Sequence, residues 1–362
     1  MKFKIDLWLV LPALFLIALG LILLRSIAPV QLPYQIVFVG VAIVVFVVFS
    51  WVDYRIIFSL HLPIYILSLL FLVTPYFFGT YSRGALRWLQ LGSVSLQPSE
   101  IVKPFLLITF AALATSSFSK RRLWLVLSFL ITFLIIFSQH DLGTYLVLVV
   151  GWLTIFVSKV TLRLILVGSI IGLLVLLPTA WISLKSYQKD RLFTFVNPYS
   201  DPLGRGYHVI QSTLAVGSGQ LWGRGLGHGP QSQLRFLPER HTDFIFASLS
   251  EELGFVGALM ALVLFGLLLH RVYYISQITF DPPAFYFCLA TLTLLSFQIF
   301  VNIGMNLGLA PVTGITLPFL SSGGSSLVSL AITLGILNSI RYNTHYNAGR
   351  NSNRDFSVSS FP

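Results

Sequence analysis

The sequence predicts an all-α polytopic membrane protein: ten transmembrane helices, with a large extracytoplasmic loop between helices seven and eight. Three observations carry that expectation. Of 362 residues, 56% are hydrophobic and 10% are charged, whereas a soluble domain carries about 25% charged residues. The uncharged residues fall in runs of membrane-spanning length. One long polar stretch interrupts them. Together these exclude soluble, disordered, fibrous and disulfide-rich classes. The single cysteine, Cys288, excludes an intramolecular disulfide and a cysteine-based metal cluster. The net charge of +11 is read as positive-inside bias and attraction to anionic lipid, not as a nucleic-acid footprint.

Charge is costly at the bilayer centre, so uncharged runs locate the spans. They are Leu7 to Leu24, Ser26 to Val52, Ile56 to Ser82, Pro104 to Ser119, Leu123 to His140, Leu142 to Ser158, Leu164 to Leu184 and Leu253 to His270. Pro282 to Ile340 is uncharged over 59 residues and breaks at the Gly/Pro-rich stretch Gly304 to Gly324, giving the last two. With the N-terminus inside, 12 Lys/Arg lie on the cytoplasmic side and four on short outer segments. Both termini are therefore expected in the cytoplasm. Lys2, Lys4 and the first run resemble a signal peptide, but no small-x-small site follows Leu24, so an uncleaved span is expected. The expected organisation is one transmembrane domain over 1–341, its extracytoplasmic loop at about 185–250, and a polar tail over 342–362 that is Asn- and Ser-rich and expected to be disordered. No internal repeat is visible, which disfavours an inverted-repeat transporter.

The chemistry-bearing residues collect on the predicted outer side. Between spans three and four, Arg87 precedes Glu100 and Lys103, whose i, i+3 spacing suits a helical pair. Pro104 disfavours that pairing. The pair reads either as an interfacial snorkelling contact or as a charged contact to a lipid headgroup. Asp141, before Leu142-Gly143-Thr144, reads as an N-cap or as a site residue. In the long loop, six glycines fall between Gly217 and Gly229 around Arg224. They allow close backbone approach to a ligand, with exposed N–H groups for anions, or are simply flexible. Next comes Pro238-Glu239-Arg240-His241-Thr242-Asp243, leading to Glu251 and Glu252. Thr242 is expected to N-cap the eighth span, with Asp243 in its first turn. Glu251 would lie about 12 Å further along that helix, too far for a close acid pair. Finally, Asn302 to Ser326 is apolar but too rich in Gly and Pro for a regular helix. It reads as a re-entrant loop closing a cavity, or as a plain tight loop.

These segments together resemble the SEDS family, the bacterial shape, elongation, division and sporulation proteins. The residues that carry the resemblance are Arg87-Trp88, Gln97-Pro-Ser-Glu100-Ile-Val-Lys103, Asp141-Leu-Gly-Thr144, Asn197-Pro198 with Asp201-Pro202, Pro238 to Phe246, Glu251-Glu252-Leu-Gly254 and Gly323-Gly-Ser-Ser326. Pro311-Val-Thr-Gly314 looks more like the RodA elongation branch than the FtsW division branch. The resemblance implies ten spans and a peptidoglycan glycosyltransferase that polymerises lipid II at the outer leaflet of the cytoplasmic membrane. It implies partners too: a class B penicillin-binding protein that supplies transpeptidation, and the elongation machinery. It matches the family's essential loop aspartate to Asp243, and its Glu/Lys pair to Glu100 and Lys103. His140, Ser322 and Thr316 depart from residues frequent in the family.

The expected reaction deprotonates a sugar hydroxyl while a pyrophosphate-linked carbon is attacked. Asp243 is the expected catalytic base. Lys103, Arg87, Arg224 and Arg240, in that order, are candidates to neutralise the leaving pyrophosphate. A divalent cation is an alternative, although no metal-ligand spacing is evident. Asp141, His241 and Ser325 complete the expected substrate-binding set. A lipid II flippase and a non-catalytic scaffold are the rival readings. The first calls for polar groups at mid-bilayer, whereas here they cluster at one face.

Overall fold

The computed structural model describes all residues except 1–3, 83–84, 93, 117–119, 159–196, 203, 205 and 359–362. The seventh predicted span and the start of the long loop lie outside the described residues. Each of the other nine predicted spans coincides with an apolar helix. Among the described residues, seven helices are long and apolar enough to cross a membrane, and Leu123–Ser138 and Leu142–Val157 are shorter apolar ones.

The chain begins with α1 (Leu7–Ile27), α2 (Leu32–Trp51), a short α3 (Tyr54–Ser59) and α4 (His61–Phe78). An antiparallel sheet follows: β1 (Gly79–Ser82), β2 (Ala85–Leu91) and β3 (Val94–Leu96), in the order β1-β2-β3. This corrects the all-α expectation, and it cuts the third predicted span back to Phe78. Uncharged runs report hydrophobicity without conformation, so Gly79 to Ser82 looked like span. Next come α5 (Pro98–Thr115), α6 (Arg121–Ser138) and α7 (Leu142–Val157). The loop region holds α8 (Tyr207–Ser218) and α9 (Pro230–Gln233). The chain ends with α10 (Ile245–Gln277), α11 (Pro282–Asn306) and α12 (Gly324–Val358). α12 runs past residue 341, so the backbone of the polar tail is helical up to Val358, not irregular as expected.

Hydropathy sorts these helices by position. α5 and the apolar part of α12, with mean hydropathies of 1.3 and 1.2, are 72% and 78% buried; α2, at 2.5, is 11% buried. Helices facing lipid must be uniformly apolar, whereas interior helices can use small and polar residues to pack and bond. α5 accordingly buries Thr109, Ala111, Ala112 and Ala114, and α12 buries Ser325, Ser329, Thr333, Asn338 and Ser339.

At one end of the bundle, Asp6 takes Arg271 at 2.7 Å and Arg341 at 3.9 Å. Asn338 accepts the Asp6 N–H at 2.9 Å. This ties the starts or ends of α1, α10 and α12 together. The opposite end carries every residue singled out as chemistry-bearing.

Residues 307–323 connect α11 to α12 without regular structure, yet Leu317, Phe319 and Leu320 are at most 5% exposed. A side chain at Gly20 would meet the Leu320 carbonyl at 2.5 Å. Gly20 lies seven residues inside the end of α1, about 10 Å at helical rise. The segment therefore dips into the bundle, as a re-entrant loop does. Its backbone groups find protein partners there, the condition for irregular structure at that depth. Ser321 Oγ accepts the Leu317 N–H at 2.8 Å and donates to the Thr242 carbonyl at 2.7 Å.

Candidate active site

Asp141 is the hub of the first cluster. It N-caps α7, accepting the Thr144 N–H at 3.4 Å. It also accepts Arg87 at 3.1 Å, Gln97 at 2.6 Å and Ser99 at 2.7 Å. Its side chain is 3% exposed. The cap and site readings are thus not exclusive, because the carboxylate that caps α7 also gathers Arg87, Gln97 and Ser99. β2 delivers Arg87 from above, and the start of α5 delivers Gln97 and Ser99.

Glu100 and Lys103 form an ion pair at 2.7 Å. Thr144 Oγ1 donates to Glu100 at 3.2 Å, which links the pair to the Asp141 cap. Pro104 does not prevent this. α5 starts at Pro98, where a missing N–H costs nothing, and the helix carries through Pro104. The fourth predicted span began at Pro104 and so missed the turn that holds the pair.

Asp243 sits in the second cluster. The expectation that Thr242 caps the helix is corrected. α10 begins at Ile245 without a side-chain cap, and Thr242 donates back to Glu239 Oε2 at 3.1 Å. Asp243 lies just ahead of the helix instead of in its first turn. Its peptide carbonyl is clamped by Asn302 at 3.0 Å and Asn306 at 3.1 Å. Asn302 also donates to the Ile315 carbonyl at 2.7 Å, and Asn306 accepts the Ala247 N–H at 3.0 Å. These two asparagines, one turn apart on α11 and wholly buried, fix Asp243 against the re-entrant segment. A side chain at Gly314 would meet Asp243 Oδ2 at 3.6 Å. The Asp243 side chain is half-buried, and the neighbouring Phe244 and Phe246 are 3% exposed.

The re-entrant segment joins the two clusters. A side chain at Gly143, two residues from Asp141, would meet Ile315 at 3.3 Å and the Thr313 carbonyl at 3.4 Å. Ser322 N–H donates to the His241 carbonyl at 2.9 Å. Ser325 Oγ accepts the Gln97 N–H at 2.9 Å. Residues 313–325 thus touch Asp243 on one side and the Asp141–Glu100 network on the other. Alongside lies a cavity of about 360 Å³, lined by the start of α2, the sheet, Gln97, Glu100 and residues 322–326.

The remaining candidates fall elsewhere. Arg240 donates to the Ile27 carbonyl at 2.7 and 3.1 Å, capping α1; burial, then repulsion from Arg235, lowers its pKa. Arg224 is exposed and gives its Nε–H to the Ser218 carbonyl at 2.9 Å. Glu251 and Glu252 are wholly buried. Glu251 accepts Gln231 N–H, Ser232 N–H and Ser232 Oγ at 2.5 to 2.9 Å.

The glycine-rich loop answers a backbone need. Gly254 has φ +66° inside α10, so the helix is broken there. The break frees peptide groups, and the loop bonds them: Arg224 and Gly225 N–H donate to the Glu251 and Glu252 carbonyls at 2.9 and 3.0 Å. Phe255 N–H in turn reaches the Gln220 carbonyl at 2.8 Å. A side chain at Gly223 (φ +83°) would meet the Glu252 carbonyl at 2.2 Å. Those N–H groups hold a kinked helix, not an anion.

Sequence reasoning gave no role to Asn302, Asn306, Gln97, Ser99, Thr144 or Trp88, although all lie inside quoted motifs. Neutral polar residues inside apolar runs were the available signal. His140 has φ +58°, a value closed to proline, whose ring fixes φ near −65°. Among the described residues, no group of three or more His, Cys, Asp or Glu side chains is arranged to hold a metal ion.

A family model described as "Cell cycle protein", for the FtsW, RodA and SpoVE proteins, matches residues 2–346. Peptidoglycan glycosyltransferase MrdB of Escherichia coli K12 is 42% identical over 312 residues, covering 83% of each chain. Stage V sporulation protein E of Bacillus subtilis 168 is 37% identical, covering 94% of this chain and 98% of its own. Among solved structures, one described as "Structural coordination of polymerization and crosslinking by a peptidoglycan synthase complex" superposes with a TM-score of 0.80 at 35% identity, covering 94% of this chain and 98% of that one. The rod shape determining protein RodA of Thermus thermophilus gives 0.70 at 30% identity, covering 95% and 98%. With the family model matched over residues 2–346 and the fold shared over most of the chain, this protein belongs to the FtsW/RodA/SpoVE family of multi-pass membrane proteins.

Proposed function

We propose that Asp243 is the general base of this enzyme, and that the network of Glu100, Lys103, Arg87 and Asp141 frames the substrate beside it. The chain is a peptidoglycan glycosyltransferase, the activity named for its MrdB and FtsW relatives; the MrdB match fits a role in cell elongation. The substrate in this reading is lipid II. Asp243 takes the proton from the acceptor hydroxyl as that oxygen attacks the anomeric carbon. The carbon–oxygen bond to pyrophosphate breaks, undecaprenyl diphosphate leaves with the bonding electrons, and the proton remains on the carboxyl group. The product configuration is inverted.

The observation that carries this is the setting of Asp243. Its backbone is fixed by two buried asparagines, while its carboxylate is half-buried at the re-entrant loop. Asp141, by contrast, is 3% exposed and gathers Arg87, Gln97 and Ser99, so it positions these groups. Lys103 and Arg87 are each paired with a carboxylate, and in this reading they supply positive charge to a pyrophosphate held outside the cavity. His241 and Ser325 act through the re-entrant segment they hold. Arg224 and Arg240 are bonded to the Ser218 and Ile27 carbonyls and add positive charge at this face of the bundle.

In the same reading the chain crosses the bacterial inner membrane ten times, with both termini in the cytoplasm and the 185–250 loop outside. Residues 1–341 form the catalytic domain and 342–362 the tail. A class B penicillin-binding protein is its transpeptidase partner, supported by the likeness to a structure from a peptidoglycan synthase complex. Gel analysis of glycan products from labelled lipid II tests the assignment, with and without the cognate transpeptidase. If folded Asp243→Asn protein polymerises at the wild-type rate, Asp243 is not the base. Translocation of fluorescent lipid II in proteoliposomes without polymer would indicate a flippase.

A further inference from the structure

We infer that the cavity between α2, the sheet and the start of α12 is a binding site for a neutral amino sugar of the glycan substrate, not for its pyrophosphate. The inference deepens the glycosyltransferase reading and rests on it.

The lining chemistry carries the argument. Trp88 lines the cavity together with Gln31, Gln35, Ser95, Ser326 and Glu100. Among the described residues, Glu100 is its single charged lining group, and that charge is negative. Among the described lining residues a pyrophosphate would meet no cation and one carboxylate, an arrangement that costs energy. The nearby cations are turned away by the backbone. Successive side chains of a strand point to opposite faces, so β2 sends Trp88 into the cavity and the adjacent Arg87 out of it, onto Asp141 at 3.1 Å. Lys103 is held by Glu100 at 2.7 Å, and does not line the cavity.

What remains suits a sugar. Trp88 offers an aromatic face with a polar N–H. Gln35 uses its carbonyl oxygen on the Gly323 N–H at 3.2 Å, and its amide NH2 has no acceptor among the described residues. Amide and hydroxyl groups match the hydroxyl and acetamido groups of an amino sugar. At about 360 Å³ the volume is near the lower end of small-molecule sites, about 300–1,000 Å³, which fits sugar rings and not a polyprenyl tail. The placement is also productive. Ser322 lines the cavity and its N–H is bonded to the His241 carbonyl, two residues from Asp243.

The test uses the full-length protein in nanodiscs with N,N′-diacetylchitobiose, a neutral amino-sugar disaccharide, observed by saturation-transfer difference NMR. The expected result is saturable signal on the acetyl methyl groups that inorganic pyrophosphate does not displace. Trp88→Ala should weaken binding about five- to tenfold, with most of it recovered in Trp88→Phe. Gln35→Ala should weaken it less, and decides the matter if Trp88→Ala does not fold. Absence of saturable binding, displacement by pyrophosphate, or undiminished binding by folded Trp88→Ala or Gln35→Ala would each overturn the assignment. Asp243→Asn separates the two readings. It should bind the disaccharide normally while failing to polymerise lipid II; full polymerisation by that variant sinks the catalytic assignment and leaves the sugar site standing.

Discussion

Two acidic sites lie eight residues apart at the head of α10, and they differ in what is held. At Asp243 the backbone is clamped by two asparagines and the side chain is half-buried. At Glu251 the carboxylate itself is clamped, with two N–H groups and one hydroxyl on a wholly buried side chain. A carboxylate whose lone pairs are already bonded inside protein is part of the framework, and removing it strands its donors. A carboxylate whose main chain is fixed can accept a proton without disturbing the fold. Ionisable residues near a membrane are functional candidates by default. This pair shows that the default needs the side chain's burial before it assigns a role.

The largest expected effect would break the comparison if it failed. Asp243→Asn should lower lipid II polymerisation by at least about 10²-fold, with no change in the thermal unfolding midpoint measured in detergent. Glu251→Ala should do the reverse. Leaving the Gln231 and Ser232 donors buried and unpaired costs about 3 kcal/mol or more, so the midpoint should fall sharply. The fraction that remains folded should polymerise at near the wild-type rate.

The break in α10 gives a second, structural contrast. Gly254→Ala places a side chain where Gly223 N stands 2.3 Å away, at φ +66°. Strain of about 1–3 kcal/mol from the backbone alone, together with the clash, should separate the glycine-rich loop from α10. Faster hydrogen exchange at Arg224 and Gly225 would report it. Unchanged exchange would mean that the loop does not depend on the kink.

Asn302→Ala should sharpen the Asp243 side of the comparison. It removes one of two donors to the Asp243 carbonyl and the donor to Ile315. The expected outcome is a drop of about tenfold in kcat with little change in KM, since the loss misplaces a reacting group more than it removes substrate contact. A rise in KM alone would count against the clamp. Arg224→Ala should be the mildest. The residue is exposed, so stability should shift by under about 0.5 kcal/mol, with any effect confined to KM.

Much of the fold was legible because the bilayer punishes charge. That one rule located Leu7 to Leu24 and Leu142 to Ser158 to within a few residues of α1 and α7. It failed where sequence and conformation part company. Gly79 to Ser82 is uncharged but forms a strand, and α5 starts six residues before its uncharged run because Glu100 and Lys103 neutralise one another. At the site, the resemblance of motifs picked out Asp243, Glu100, Lys103 and Asp141. It was silent on Asn302 and Asn306, because an asparagine in an apolar run shows no partner until the chain is folded.

By itself, then, the sequence determined that this chain lives in a membrane, roughly where it spans, and which ionisable residues are scarce enough to matter. Those properties follow from the cost of charge in hydrocarbon, which acts on each residue separately. Only the tertiary structure decided that the loop glycines serve a broken helix, that Arg87 faces Asp141 while Trp88 faces a cavity, and that residues 313–325 lie between two clusters over 100 positions apart. Those properties depend on which backbone donors and acceptors meet across the bundle. A pairing of that kind belongs to two distant segments at once, and neither segment records it alone.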